Sequence, residues 1–183
     1  GLLKAAAEVS AERVRRKEVE EELVIDEMTG AFNFRYLNDW LSDPSHDELG
    51  LLFIDVDDFS VFNDTYGHAE GDKVLSLLVE TINNSIRGGD QVVRYGGDEF
   101  VVFLRNMNAE AAKIVAERIM DNLREIRNPV WDEPLTVSLG IAVTPEHTTD
   151  KRELLLFADQ AMYRAKGQGK NQIRMWNLVE DPA

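Results

Sequence analysis

The stretch RYGGDEFVVF, Arg94 to Phe103, decides how the rest of the chain reads. Two glycines interrupt a β-rich run, with a strand expected at Gln91 to Tyr95 and another at Phe100 to Leu104. Strands joined by Gly-Gly predict a hairpin on a two-residue type I′ turn, because both central positions of that turn need positive φ. Asp98 and Glu99 then follow directly on the turn. Taken alone, they read as polar residues that solubilise a hairpin tip.

Asp55 changes that reading. ELGLLFIDVD is a buried strand whose apolar stretch, Leu51 to Ile54, ends in Asp55 and Asp57 at the rim of a sheet. If this strand neighbours the hairpin, Asp55 and Asp98 converge at one edge. Two carboxylates and a backbone carbonyl form a hard-oxygen site for Mg2+ or Mn2+, with positions open to phosphate oxygens. Such a site can activate a hydroxyl and stabilise a leaving pyrophosphate, which is nucleotidyl-transfer chemistry. IDVDDF does not fit a calcium loop, since Phe59 falls at a ligand position and no glycine follows it.

Outward from these strands, residues 1 to 24 read as a helix with Leu2, Val9 and Leu23 on a seven-residue rhythm. Arg16 falls on the same seam, so the segment is either an imperfect coiled coil or a solvated single helix. After a turn at Thr29-Gly30, Phe34, Leu37 and Leu41 mark one face of a second helix. Further helices are expected over roughly 68 to 86 and 108 to 127, the latter with Ala112, Val115, Ile119 and Leu123 on one stripe. PLTVSLGIAVT reads as a strand, ELLLFADQAMYRAK as a helix and NQIRMW as a last strand. The order predicts an α+β domain of ferredoxin-like, palm type: an antiparallel-rich sheet with helices on one face and an N-terminal helical extension.

The 183 residues suffice for one core plus an extension. Cysteine is absent, which excludes disulfides and thiolate metal sites and suits a reducing cytoplasm. No apolar run approaches a membrane span and no signal-peptide pattern opens the chain. The opening GLLKAAAEVS reads as an internal boundary, compatible with sensor or membrane segments upstream. A net charge of −14 repels polyphosphate backbones, so long nucleic acid is not an expected partner, whereas a nucleotide neutralised locally by metal and lysine is.

DEMTGAFN, IDVDDFSVFNDTYGHAEGD, RYGGDEF, VSLGIA and ADQAMYRAKGQGKN, in this order between Asp26 and Asn171, resemble the GGDEF domain of the diguanylate cyclase family. The resemblance implies a palm-like α+β fold and the joining of two GTP into cyclic di-GMP with release of two pyrophosphates, across a dimer of domains. It implies Asp55, Asp98 and the main-chain oxygen of Val56 as metal ligands, Asp98 as proton acceptor and Glu99 in support. Asn63, His68 and Asp72 fall where guanine is read, and Lys166 and Lys170 where phosphates are held. Arg87 and Asp90, an R-x-x-D pair five residues before the signature, match the inhibitory product site, with Arg118 on the following helix an additional contact. Without the resemblance, Asn63 and its neighbours read as a polar loop, the two lysines as helix-end cations, and Arg87 with Asp90 as a surface turn.

The chain departs from the family pattern in places. Asp98 stands where many relatives have Glu, Phe34 where Arg is usual, Lys170 where Arg is frequent, and Ser60 where most carry a phosphate-facing Lys. The division implied is a signalling or dimerisation helix over 1–24, the cyclase domain over 25–177 and a tail over 178–183. Two alternatives stay open: a catalytically weak or silent sensor of cyclic di-GMP or GTP, and a purine cyclase with another product.

Overall fold

The computed structural model describes residues 1–45 and 48–180; residues 181–183 of the expected tail lie outside the described residues. The elements run α1 (Leu2–Glu22), α2 (Phe34–Ser42), β1 (Leu49–Val56), α3 (Phe59–Tyr66), α4 (His68–Ser85), β2 (Gln91–Arg94), β3 (Glu99–Arg105), α5 (Ala109–Arg124), β4 (Val137–Val143), α6 (Lys151–Gly167) and β5 (Ile173–Met175). The strands form one sheet in the order β2-β3-β1-β4-β5, antiparallel except for the β4–β5 pair.

Helices cover both faces of this sheet, not one. Leu52, Ile54, Phe100, Val102 and Ile141 pack with α4 and α5, while Leu51, Phe53, Val101 and Phe103 pack with α2 and α6. Successive strand residues point to opposite faces, so a sheet buried on both sides requires apolar residues at nearly every position. That is why Leu51 to Ile54 and VSLGIAV read as unbroken apolar runs.

Gly140 lets α6 lie against β4: a methyl there would come 2.0 Å from the Ala158 carbonyl and 2.3 Å from the Met162 nitrogen. The expected stripe of α5 is buried at Ala112, Val115, Ile119 and Leu123, and the helix starts on an Asn108 side-chain cap. On α2, Leu37 is buried, but Phe34 is exposed and meets the ring of Tyr95 edge-on at 5.6 Å.

The hairpin between β2 and β3 is wider than Gly-Gly predicts. Tyr95 to Asp98 form its loop, closed by bonds from the Tyr95 and Gly96 nitrogens to the Glu99 carbonyl at 2.8 and 3.2 Å. Neither glycine adopts the left-handed conformation that a type I′ turn demands. A Cβ on Gly96 would lie 2.7 Å from Glu99 Oε2, a contact that a turn of the Glu99 side chain relieves. α1 projects with Leu2 92% and Val9 51% exposed, and Arg16 pairs with Glu20 at 3.0 Å.

Candidate active site

On β1, Leu51 and Phe53 face α6, and alternation sends Asp55 to the same side. Asp55 lies opposite Glu99 of β3, and the Asp98 carbonyl accepts from the Val56 nitrogen at 3.1 Å. The structure thus brings Asp55, Asp98 and Glu99 together at one end of the sheet, as their sequence positions predict.

Packing these carboxylates together, partly out of water, disfavours their charged forms. Burial, and then the charges of Asp98 and Asp57, push the Asp55 pKa up, against the opposing pull of Lys166. Glu99 is pushed up by burial and by Asp55, Asp98 and Asp159, and Asp159 on α6 is raised by burial alone.

Lys166, in the last turn of α6, answers this charge. Its ammonium lies 2.5 Å from Asp55 Oδ1, 3.0 Å from the Val56 carbonyl oxygen and 3.4 Å from Asp57 Oδ1. Lys170 stands just past the helix with φ 62° and pairs with Asp58 at 2.5 Å. Both lysines are therefore bound to carboxylates. The Lys166 ammonium also tests the site as a cation seat: three hard oxygens already surround one positive group. The donor set suits Mg2+ or Mn2+, for which Asp55, Asp98 and the Val56 carbonyl would be the protein's ligands. Among the described residues no cluster of three or more His, Asp or Glu side chains has metal-binding geometry.

Two further residues, to which the sequence reading assigns no role, organise the site. Asp57, its side chain only 2% exposed, accepts from Ser138 Oγ at 2.7 Å, Thr136 Oγ1 at 2.8 Å and the Asn171 nitrogen at 2.9 Å. It pins the β4 end and the turn after α6 beside Asp55. Arg94 bonds Asp26 at 3.2 Å and the Gly97 carbonyl at 2.8 Å, tying DEMTGAFN to the loop that carries Asp98. Within DEMTGAFN, Asn33 caps α2 through the Arg35 and Tyr36 nitrogens and reaches back to the Leu23 carbonyl. A signal for Arg94 existed in its place next to the hairpin; for Asp57 the signal was its spacing from Asp55.

Asn63 lies on α3, and His68 and Asp72 lie on α4, so helices occupy the segment that alone reads as a polar loop. Asn63 Oδ1 is buried with no hydrogen-bond partner and points at Gly71, where a Cβ would fall on it. The amide thus packs against the neighbour of Asp72, while Asp72 and His68 are exposed.

At the other end of the sheet, Asp90 is not the surface residue that an isolated R-x-x-D turn suggests. Its side chain is 1% exposed and accepts from the Arg87 nitrogen at 3.2 Å and the Arg105 nitrogen at 2.9 Å. The Arg87 guanidinium folds onto the Arg105 carbonyl at 2.6 Å and lies 3.7 Å from Asp90. Arg118 donates to the Ser85 carbonyl at 2.8 Å, at the end of α4 and beside the same turn.

A five-stranded sheet whose rim gathers carboxylates and a lysine, with helices on both faces, agrees with the palm-like α+β fold that the family resemblance implies. The family model for the diguanylate cyclase GGDEF domain matches residues 23–172. The chain is 36% identical over 162 residues to the probable diguanylate cyclase DgcT of Escherichia coli, which covers 84% of this chain and 36% of that protein. It is 36% identical over 137 residues to diguanylate cyclase A of Treponema denticola, covering 73% of this chain and 37% of the relative. Among solved structures, the GGDEF domain of TpbB (YfiN) from Pseudomonas aeruginosa superposes with TM-score 0.78 at 35% identity, covering 86% of this chain and 96% of that one. The coiled coil and GGDEF domain of DgcB from Caulobacter crescentus, in complex with c-di-GMP, gives TM-score 0.80 at 25% identity and covers 95% of this chain and 96% of that one. The chain belongs to the GGDEF domain family of diguanylate cyclases. It spans well under half the length of the curated relatives it matches. Among the described residues no helix is long and apolar enough to cross a membrane.

Proposed function

We propose that this domain condenses two GTP into cyclic di-GMP and two pyrophosphates, each of two facing domains holding one GTP. The observation that carries the reading is the convergence of Asp55, Asp98, Glu99 and Lys166 at one sheet edge in a chain of this family. The 3′-hydroxyl of each GTP attacks the α-phosphate of the other; two new P–O bonds form, and at each α-phosphorus the bond to the α,β-bridging oxygen breaks to release pyrophosphate. Asp98 accepts the hydroxyl proton, and Lys166 leaves the carboxylates to meet the phosphates. A bound Mg2+ or Mn2+ would polarise the phosphate and offset the negative charge of the leaving group. Glu99 supports the metal and ribose. Asn63, His68 and Asp72 recognise guanine, for which a carboxylate accepting from N1–H and the 2-amino group is well suited.

Dimerisation through α1 is part of the same proposal. It is supported by the exposed Leu2 and Val9 and by the likeness to a structure holding a coiled coil and a GGDEF domain. Residues 1–24 would then be the dimerisation helix, 25–177 the catalytic unit and 178–183 a tail, acting in the cytoplasm where GTP is made. Product inhibition would work by cyclic di-GMP displacing the bonds that Arg87 now makes to Arg105, with Arg118 beside them. Ser60, exposed at the start of α3, favours a second reading, a weak or silent domain that senses cyclic di-GMP or GTP. Incubation with GTP and Mg2+ followed by mass spectrometry of the product separates the two. Cyclic di-GMP that disappears in Asp98→Ala supports the cyclase; binding without product, in a folded dimer, supports the sensor.

A further inference from the structure

The loop between α5 and β4 carries a large aromatic residue, Trp131, with no place in the chemistry above. Its indole N–H donates to Glu70 Oε2 at 3.0 Å, and its ring meets Phe62 edge-on at 5.4 Å. The next residue, Asp132, donates its nitrogen to the Tyr66 hydroxyl at 3.0 Å, and that hydroxyl lies 3.5 Å from Asp132 Oδ2. Phe62 and Tyr66 belong to α3, whereas Glu70 belongs to α4.

Between those helices stands Gly67, with φ 90° and ψ 160°, whose N–H closes α3 on the Asn63 carbonyl and which offers α4 no side-chain cap. A left-handed glycine between two helices is a natural joint. α3 has no fully buried residue; Phe59 and Phe62 pack against the core and Asn63 lies against Gly71 of α4, and the loop bonds add to these contacts. Two adjacent loop residues grip both sides of the joint from more than sixty positions away in sequence. Asn63 follows Phe62 directly, and Asp72 lies two residues beyond Glu70. Trp131 also lines the same surface hollow as Asp72.

We infer that Trp131 and Asp132 are positioning residues for guanine selectivity: they clasp α3 to α4 and so fix the spacing of Asn63 and Asp72. The inference rests on the reading of those two residues as the guanine contacts. None of the bonds that form the clasp is made to Asp55, Asp98 or Lys166. Loosening it weakens nucleotide selection without slowing the chemical step.

Trp131→Phe keeps an aromatic ring against Phe62 and removes the N–H, while Glu70→Gln keeps an acceptor for it. The measurements are kcat and KM for GTP, and the affinities of the non-reactive α,β-methylene analogues of GTP and ATP, with melting temperature as a check on folding. Trp131→Phe is expected to raise KM about fivefold and to lower the guanine-over-adenine preference by a similar factor, with kcat close to the parent's. Glu70→Gln should stay near the parent. Glu70→Ala, which also frees Lys73 from its 2.5 Å ion pair with Glu70, should match Trp131→Phe once the effect of Lys73→Ala alone is subtracted, and the double variant Trp131→Phe/Glu70→Ala should lose no more than Glu70→Ala. An unchanged KM and preference in Trp131→Phe, in a parent that prefers guanine, overturns the inference alone. A fall in kcat with KM unmoved also overturns it. A parent indifferent to the base overturns the guanine assignment and this inference with it.

Discussion

Replacing Gly140 by alanine should be among the most damaging single-methyl changes in the sheet. The added Cβ would stand 2.0 Å from the Ala158 carbonyl oxygen, 1.4 Å inside the 3.4 Å at which ordinary contact begins, and 2.3 Å from the Met162 nitrogen. Both obstacles are main chain of α6, which has no rotamer with which to step aside, so the helix itself must lift from β4. Overpacking a buried site costs about 1–3 kcal/mol where side chains can adjust, and rigid backbone puts this position at about 3 kcal/mol. For a domain of this size that lowers the melting temperature by roughly 6–12 °C. Gly50→Ala is the internal control: its Cβ would meet the Ala112 methyl at 3.1 Å, short by only 0.3 Å, and should cost less than about 1 kcal/mol. Urea unfolding followed by circular dichroism gives both values, with equal m-values required for comparison. Because α6 ends in Lys166, the Gly140 variant should also turn over GTP more slowly at temperatures where it is fully folded. Equal stability losses in the two variants would refute the claim that backbone proximity, rather than loss of glycine as such, governs position 140.

Lys166→Gln should bind Mn2+ without nucleotide about tenfold more tightly, since a cation seated among Asp55, Asp57 and the Val56 carbonyl is removed, yet should lose cyclase activity. Electron paramagnetic resonance titration checks this, and unchanged or weaker Mn2+ binding would count against Lys166 as the competing cation. Ser60→Lys should raise kcat about tenfold if a cation there contributes roughly 1.4 kcal/mol to the transition state; no change at saturating GTP, with product inhibition removed, would locate the lost rate elsewhere. Arg87→Ala should relieve inhibition by cyclic di-GMP while leaving the initial rate near the parent's, and equal inhibition of both proteins would reduce the pair to a structural turn. His147 accepts the Val143 N–H on Nδ1, and burial holds its pKa below the usual 6.5 despite Glu146. The unfolded chain therefore takes up the proton first as pH falls, so this contribution to stability is present above about pH 6.5 and is lost below it. Urea midpoints at pH 7.5 and 5.5 should differ less in His147→Asn than in the parent; parallel shifts would dismiss the histidine as the cause.

The sequence was most legible where periodicity was strict. The stripe of α5 and the buried run of β1 fix their own elements, and Asp55 at the end of an apolar run could only lie at a sheet rim. The same continuity concealed the second helical layer, because a strand apolar at every position does not say how many faces are covered. α3 escaped notice for the opposite reason: eight residues with none fully buried carry no stripe and no cap. The hairpin loop departs from the expected turn because Gly-Gly signals backbone freedom and neither glycine uses it. Of the site, the carboxylates were legible from position. The seating of Lys166 among them, the burial of Asp90 and the reach of Arg94 were not, since each joins segments far apart in sequence and depends on how strands align.

The raised carboxylates of the sheet rim have a consequence for the life of the protein as well as its chemistry. Asp55, Glu99 and Asp159 each ionise less readily in the folded chain than in the unfolded one, so near neutral pH their charges favour opening. A ligand that binds only the folded form reverses that balance by mass action. If the domain binds GTP as proposed, the nucleotide-bound form would be the more resistant to unfolding, and resistance to protease in vitro would rise with GTP concentration.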